Sequence, residues 1–234
     1  MCRLLIHVEG QTEETFVNNI LAPHLYTYGY TRVSARLIGN ARLRTRRGGI
    51  CPWPIVRKEI LNRLKEDHGC IVTTMVDYYG LPQTGDQAWP GRQTAGALPF
   101  KQKACTIETA LLNDISSGLE NNLDVKRFIP YVTMHEFEGL LFSDCERFGY
   151  GISRPDLIEQ FKTIRNQFTT PEEINDSPNT APSKRVETLV PGYQKPLLGT
   201  SAILEIGLDT IRAECPHFCE WLEHLEGFLK KAEL

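Results

Sequence analysis

With 234 residues, 41% of them hydrophobic and 24% charged, the chain has the make-up of a globular protein with enough apolar residues for a large core. The net charge of −3 excludes a global attraction to nucleic acid, so any such binding has to use a local basic patch. No apolar run is long enough to span a bilayer, no signal-peptide pattern follows Met1-Cys2-Arg3, and the seven cysteines are irregularly spaced, so a cytoplasmic protein without membrane contact is expected.

The first apolar run, Leu4 to Val8, reads as a short buried strand with Glu9 at its C-terminal tip. Gly10 allows a sharp turn, and Thr12 is the expected N-cap of a helix over Glu13 to Leu25 with Phe16, Ile20 and Leu21 on one face. In open α/β sheets ligands collect outside the carboxyl ends of the strands. A carboxylate there, followed by Glu13 and Glu14, suits a hard divalent cation, although those two acids also favour the positive end of the helix dipole. A second strand is expected over Val33 to Ile38. The irregular stretch from Asn40 to Pro54 then carries Arg42, Arg44, Arg46 and Arg47 ahead of Gly48-Gly49. Such a loop can track a phosphate backbone or simply be solvated. It has no interleaved aromatic and nothing that reads a base sequence.

Ile55, Ile60, Leu61 and Leu64 mark a helix before a third strand, Cys70 to Val76, which ends at Asp77. A long loop, Leu81 to Pro99, follows and would rim the strand end. Ile107, Leu111, Leu112, Ile115 and Leu119 form the next helical stripe, and a fourth strand is expected over Phe128 to Met134, leading into His135-Glu136-Phe137-Glu138-Gly139. Strands alternating with helices predict βαβ units, right-handed crossovers and a mainly parallel sheet with helices on both faces. Asp144 reads as a helix cap or as a weaker metal candidate. From about Ser153 the pattern is helical, with Leu157, Phe161 and Ile164, then a polar stretch from Thr169 to Lys184, then a helical run from Ile203 to Leu229. The expected division is an α/β core over 1–152 and a helical addition over 153–234 packed on it. Cys215-Pro216-His217-Phe218-Cys219 has zinc-binding residue types but lacks a second pair and reads as packing.

Glu9, Asp77 and the pair Glu136 and Glu138 each follow an apolar run, and a parallel sheet would bring these tips to one edge. Clustered carboxylates repel one another, and a Mg²⁺ or Mn²⁺ ion removes that cost while activating water and stabilising phosphoryl charge. His135 suits phosphate contact, base chemistry or a structural hydrogen bond; Tyr78 and Tyr79 suit base stacking or packing.

The segments VEGQTEE, VDYYGLP, HEFEGLLFSD, PSKRVETLVPGYQKPLLG and IRAECPHFCEWL resemble the family labelled domain of unknown function 4276, over nearly the whole chain. That family is similar to Toprim domains, found in topoisomerases, primases and OLD-type nucleases. The resemblance implies a Toprim-like α/β fold, a parallel sheet flanked by helices with the C-terminal helical addition. It matches Glu9 to the Toprim Glu and Asp77 to the first Asp of Asp-x-Asp. Tyr79 stands where the second Asp is expected, so Glu136, Glu138 or Glu13 would have to supply the missing carboxylate. It also implies a late basic residue that offsets charge on the scissile phosphate, for which Lys184, Arg185 and Lys195 are all open.

The expected function is therefore a metal-dependent nuclease acting on DNA or RNA, with Glu9, Asp77, Glu136, Lys184 and Lys195 as catalytic candidates. Glu9, Glu13, Asp77, Glu136 and Glu138 are the metal candidates, and Arg42, Arg44, Arg46, Arg47 and Arg185 the nucleic-acid contacts. Resemblance further implies an ABC-type ATPase partner that gates the nuclease, in an antiphage or DNA-processing role, and admits a homodimer. The chain has no Gly-x-x-x-x-Gly-Lys-Ser/Thr loop of its own. The alternative is a non-catalytic regulatory subunit of such an ATPase. A nucleotidyl-transfer reading ranks last for want of a phosphate-cradling glycine loop.

Overall fold

The computed structural model describes residues 2–38, 50–119, 124–175, 177 and 179–232, without side chains for 230–232. In chain order the elements are β1 (Arg3–Val8), α1 (Gln11–Phe16), α2 (Ala22–Tyr26), β2 (Arg32–Leu37), α3 (Trp53–Glu66), β3 (Cys70–Asp77), α4 (Arg92–Gly96), α5 (Phe100–Ser117), β4 (Phe128–Ile129) and β5 (Val132–Thr133). They continue as α6 (Cys145–Gly151), α7 (Ile158–Arg165), α8 (Pro182–Leu189), α9 (Thr200–Ile206), α10 (Leu208–Glu214) and α11 (Pro216–Ala232). A π-helical turn, Val17–Leu21, joins α1 to α2, and another, Lys195–Gly199, runs into α9.

The strands form a five-stranded parallel sheet of order β2-β1-β3-β4, with β5 also beside β3. Strand alternation separates two cores. Leu4, Ile6, Val8, Ile71 and Met75 face a layer containing Phe16, Phe142, Ile203, Phe218 and Leu222. Leu5, Val72 and Val76 face Val56, Ile60, Ile107 and Leu111 of α3 and α5. The sheet is thus covered on both faces, as its run of buried β3 residues requires. No described helix is long and apolar enough to cross a membrane.

Local chemistry explains the departures from the expected elements. The helix after β1 begins at Gln11, with Gly10 rather than Thr12 as its N-cap, and Thr12 lies buried inside the first turn. Its π turn precedes Pro23, whose ring cannot follow a regular α-helical ladder. The strand expected over Phe128 to Met134 is split at Pro130, which has no N–H to give. Thr74 bridges the break: its hydroxyl donates to Tyr131 O at 2.8 Å and accepts from Tyr131 N at 3.0 Å. The single C-terminal helix expected from Ile203 becomes α9, α10 and α11, interrupted at Gly207, whose φ of 79° is open to glycine, and at Cys215-Pro216. Asp144 does cap α6, accepting from Glu146 N and Arg147 N at 3.0 and 2.9 Å. Cys215 is buried in the core as packing requires, and both Cys215 and Cys219 carry free thiols.

Candidate functional site

β1 and β3 run side by side with Val8 level with Met75, so Glu9 and Asp77 emerge together at the carboxyl edge of the sheet. Glu9 Oε2 accepts from Asp77 N at 3.4 Å. The chain then leaves β5, where Thr133 lies level with Asp77, and turns sharply at His135. His135 has φ 61°, and Glu136 N donates to Met134 O at 3.0 Å, a γ-turn that few non-glycine residues adopt. Its ring lies 5.9 Å from the Tyr78 ring and 5.7 Å from Phe100. The turn presents Phe137 N to Asp77 Oδ1 at 2.9 Å and opens a 3₁₀ segment, Phe137–Ser143, that carries Glu138 inward.

Glu13 comes from the first turn of α1, 7% exposed. Two glycines leave the acids room: a Cβ on Gly10 would stand 2.9 Å from Glu13 Oε2, and one on Gly80 would stand 3.5 Å from both carboxylate oxygens of Glu9. Lys195 enters from its π-helical turn and donates to Glu138 Oε2 at 2.9 Å.

Burial governs the electrostatics. It raises Glu9, with Glu138 and Glu136 adding to the effect, and it pushes Glu13 up to about 7, reinforced by Glu138 and Glu9. Burial raises Asp77 well above the usual carboxylate range, with Glu9, Glu13 and Glu138 adding to it, and it raises Glu138 against the pull of Lys195. Burial alone would lower Lys195, but Glu138, Asp77 and Glu136 outweigh it and hold the ammonium charged. Among the described residues, four mutually repelling acids therefore share one lysine, which leaves the cluster short of positive charge.

The all-oxygen donor set and that charge deficit fit a hard divalent cation. Among the described residues, however, no group of three or more His, Cys, Asp and Glu side chains is arranged as a ready-made metal cage. Glu9, Glu13 and Asp77 would have to close on an ion to hold it.

The remaining sequence candidates are placed as follows. Glu136 is turned towards α8, accepting from Ser183 N at 2.8 Å. Lys184 pairs with Glu187 at 2.7 Å. Arg185 donates to Thr180 O at 2.8 Å and Asn175 Oδ1 at 3.1 Å and lies over the Phe168 ring. Tyr78 is buried with the Arg92 guanidinium 3.8 Å above its ring, whereas Tyr79 is exposed on the rim. Arg42, Arg44, Arg46 and Arg47 lie outside the described residues. Sequence reasoning passed over Tyr193, whose buried hydroxyl has no hydrogen-bond partner among the described residues and feels the charge of Glu138. Its place two residues before Lys195 was the available signal.

No curated protein matches the chain. Among solved structures, the C-terminal region of the Xanthomonas campestris pv. campestris OLD protein phased with iodine covers 100% of this chain and 98% of its own, at 13% identity and a TM-score of 0.47. The same region phased with mercury gives 13% identity, 100% and 99% coverage and a TM-score of 0.44. The profile of the family described as domain of unknown function (DUF4276) matches residues 8–226, nearly the whole chain, and the protein belongs to that family.

Proposed function

We propose that this protein is a divalent-metal-dependent phosphodiesterase acting on DNA or RNA. The observation that carries the reading is the buried acid cluster of Glu9, Glu13, Asp77 and Glu138, short of positive charge and served by Lys195, at the carboxyl edge of a parallel sheet. Glu9, Glu13 and Asp77 would hold Mg²⁺ or Mn²⁺, which when bound supplies an activated water and stabilises charge on a phosphoryl group. Lys195, whose side chain is 41% exposed, faces outward enough to meet a non-bridging phosphate oxygen. Glu138 holds that lysine in place. The Phe137 N–H orients the Asp77 carboxylate towards the edge. Lys184, on the exposed side of α8, would add backbone attraction. Resemblance of the Glu9 and Asp77 segments to Toprim motifs supports the same reading, and an ATPase partner with an antiphage role rests on that resemblance alone.

The test is cleavage of labelled DNA and RNA oligonucleotides with Mn²⁺, alongside melting of the protein with and without the ion. Wild type should cut and gain thermal stability with Mn²⁺. Asp77→Asn should fold and fail to cut, and Glu9→Gln should lose the Mn²⁺ shift. Full activity of Asp77→Asn would reject the assignment. Tyr79 at the second Asp position and the lack of a ready-made cage among the described residues favour a second reading, a non-catalytic subunit. That reading expects no Mn²⁺ shift in any variant.

A further inference from the structure

Six large apolar side chains stand exposed among the described residues, and two of them lie beside site residues. Tyr79 is two positions past Asp77, and Leu197 is two positions past Lys195. Tyr79 belongs to the 3₁₀ turn Tyr78–Gly80, which passes directly over the acids: a Cβ on Gly80 would stand 3.5 Å from both carboxylate oxygens of Glu9. The two tyrosines of that turn differ sharply. Tyr78 is spent on the core, beneath the Arg92 guanidinium. Tyr79 is 37% exposed, and its side chain has no hydrogen-bond, ionic or ring partner among the described residues. Its backbone is nevertheless pinned, because Tyr79 N donates to His135 O at 3.0 Å. An unpartnered aromatic ring on a pinned backbone is a preformed contact that costs little ordering to use. Leu197 is 65% exposed while its neighbour Leu198 packs on the core, so the π-helical turn that supplies Lys195 also offers an apolar side chain to solvent.

In a duplex, stacking covers both faces of each base and pairing covers its edges. An aromatic side chain therefore gains a base only where the strand is unpaired or the nucleotide is turned out. Every base has such a face, so stacking of this kind is tolerant of sequence. We propose that the substrate is single-stranded nucleic acid, with Tyr79 stacking on a base beside the scissile phosphate and Leu197 packing against a neighbouring nucleotide. This substrate class rests on the phosphodiesterase reading, which places the phosphate at Lys195 and the ion at Glu9 and Asp77. No covalent bond changes in the contact itself.

The test is binding by the full chain, followed as fluorescence anisotropy at one salt concentration. Ca²⁺ replaces Mn²⁺, since it binds the same kind of oxygen donors. Three labelled probes of one length are compared: a single strand, its duplex, and a single strand whose central residues are abasic. The abasic probe keeps the phosphates and loses the stacking faces. Wild type should prefer the intact single strand over both others by roughly tenfold or more. Tyr79→Ala should weaken binding of the intact single strand by roughly 5- to 100-fold and leave the abasic probe within about twofold. Tyr79→Trp should keep the preference. Tyr79→Leu covers the same surface without a ring and should behave as the alanine variant does, so a fault of folding is separated from loss of stacking. An equal loss on the intact and abasic probes, an unchanged affinity in Tyr79→Ala, or a wild-type preference for duplex would overturn the proposal. Leu197→Ser should show a smaller loss of the same selectivity. Cleavage in Mn²⁺ that is indifferent to Tyr79 rejects the stacking alone, whereas base-dependent binding without cleavage in Mn²⁺ rejects the enzyme reading alone.

Discussion

Glu13 shows most directly what a crowded carboxylate does to a fold. Burial, reinforced by Glu138 and Glu9, moves it from 4.5 to about 7. A raised acid contributes stability that is fully present below its unfolded value and lost as pH climbs through its folded value. The metal-free protein should therefore weaken between about pH 4.5 and pH 7 on account of this residue. Glu13→Gln should remove that slope, leaving the variant up to about 3 kcal/mol more stable than wild type at pH 8 and no better at pH 4. Melting curves at the two pH values check it; a difference that ignores pH would refute the burial of a charged Glu13. The acids at strand tips were legible in the sequence, because Glu9 and Asp77 directly follow apolar runs and parallel pairing leaves them nowhere else to emerge. The direction of Glu136 was not, since it depends on the γ-turn at His135, which no periodicity announces. Tyr193 lay hidden for a related reason: it sits between helices, where neither strand nor helix period assigns a face.

Elements are held at their ends by partners far away in sequence. Arg127 is 9% exposed and donates to Leu64 O at 2.9 Å, Asp67 O at 3.0 Å and Cys70 O at 3.2 Å. One guanidinium thereby satisfies carbonyls at the end of α3, in the turn after it and at the start of β3. Arg127→Met keeps the apolar stem and strands all three carbonyls. It should cost about 2–3 kcal/mol and lower Tm by roughly 4–12 °C, while Arg127→Lys, with a point charge in place of a planar fork, should recover only part. Thermal melts of the two variants check this, and equal stability of the Met variant and wild type would show that water serves those carbonyls equally well. α3 itself was readable from Ile60, Leu61 and Leu64. Its terminal partner was not, because a cap supplied from about sixty residues away leaves no local pattern.

At the scale of the molecule, the two layers on either side of the sheet are joined around its β5 edge. Glu108 of α5 accepts through one oxygen from Val132 N at 2.9 Å and from His217 Nε2 of α11 at 3.0 Å. The contact satisfies an edge-strand N–H and fastens a helix of one face to a helix of the other. Tyr131 stacks on both His217 and Trp221 behind it, and Glu172 receives the N–H groups of His217 and Phe218 at the start of α11. Burial would lower His217, but Glu108, Glu172 and Glu220 outweigh it and raise the imidazole above its usual 6.5. A histidine raised in this way contributes stability that is complete below 6.5 and disappears as pH rises through its folded value. Glu108→Gln still accepts from Val132 N but loses the charge that His217 answers. It should therefore lower Tm by roughly 2–8 °C at pH 6, from the loss of about 1–2 kcal/mol, and by less at an alkaline pH above the folded value, once the imidazole has lost its proton. Paired melts at the two pH values separate this from a purely steric fault, which would cost the same at both. Since α11 also walls the face on which Asp77 emerges, a clasp that loosens with pH should loosen the wall of the acid cluster with it, and hydrogen exchange in α11 of Glu108→Gln should quicken at pH 6 before any global unfolding.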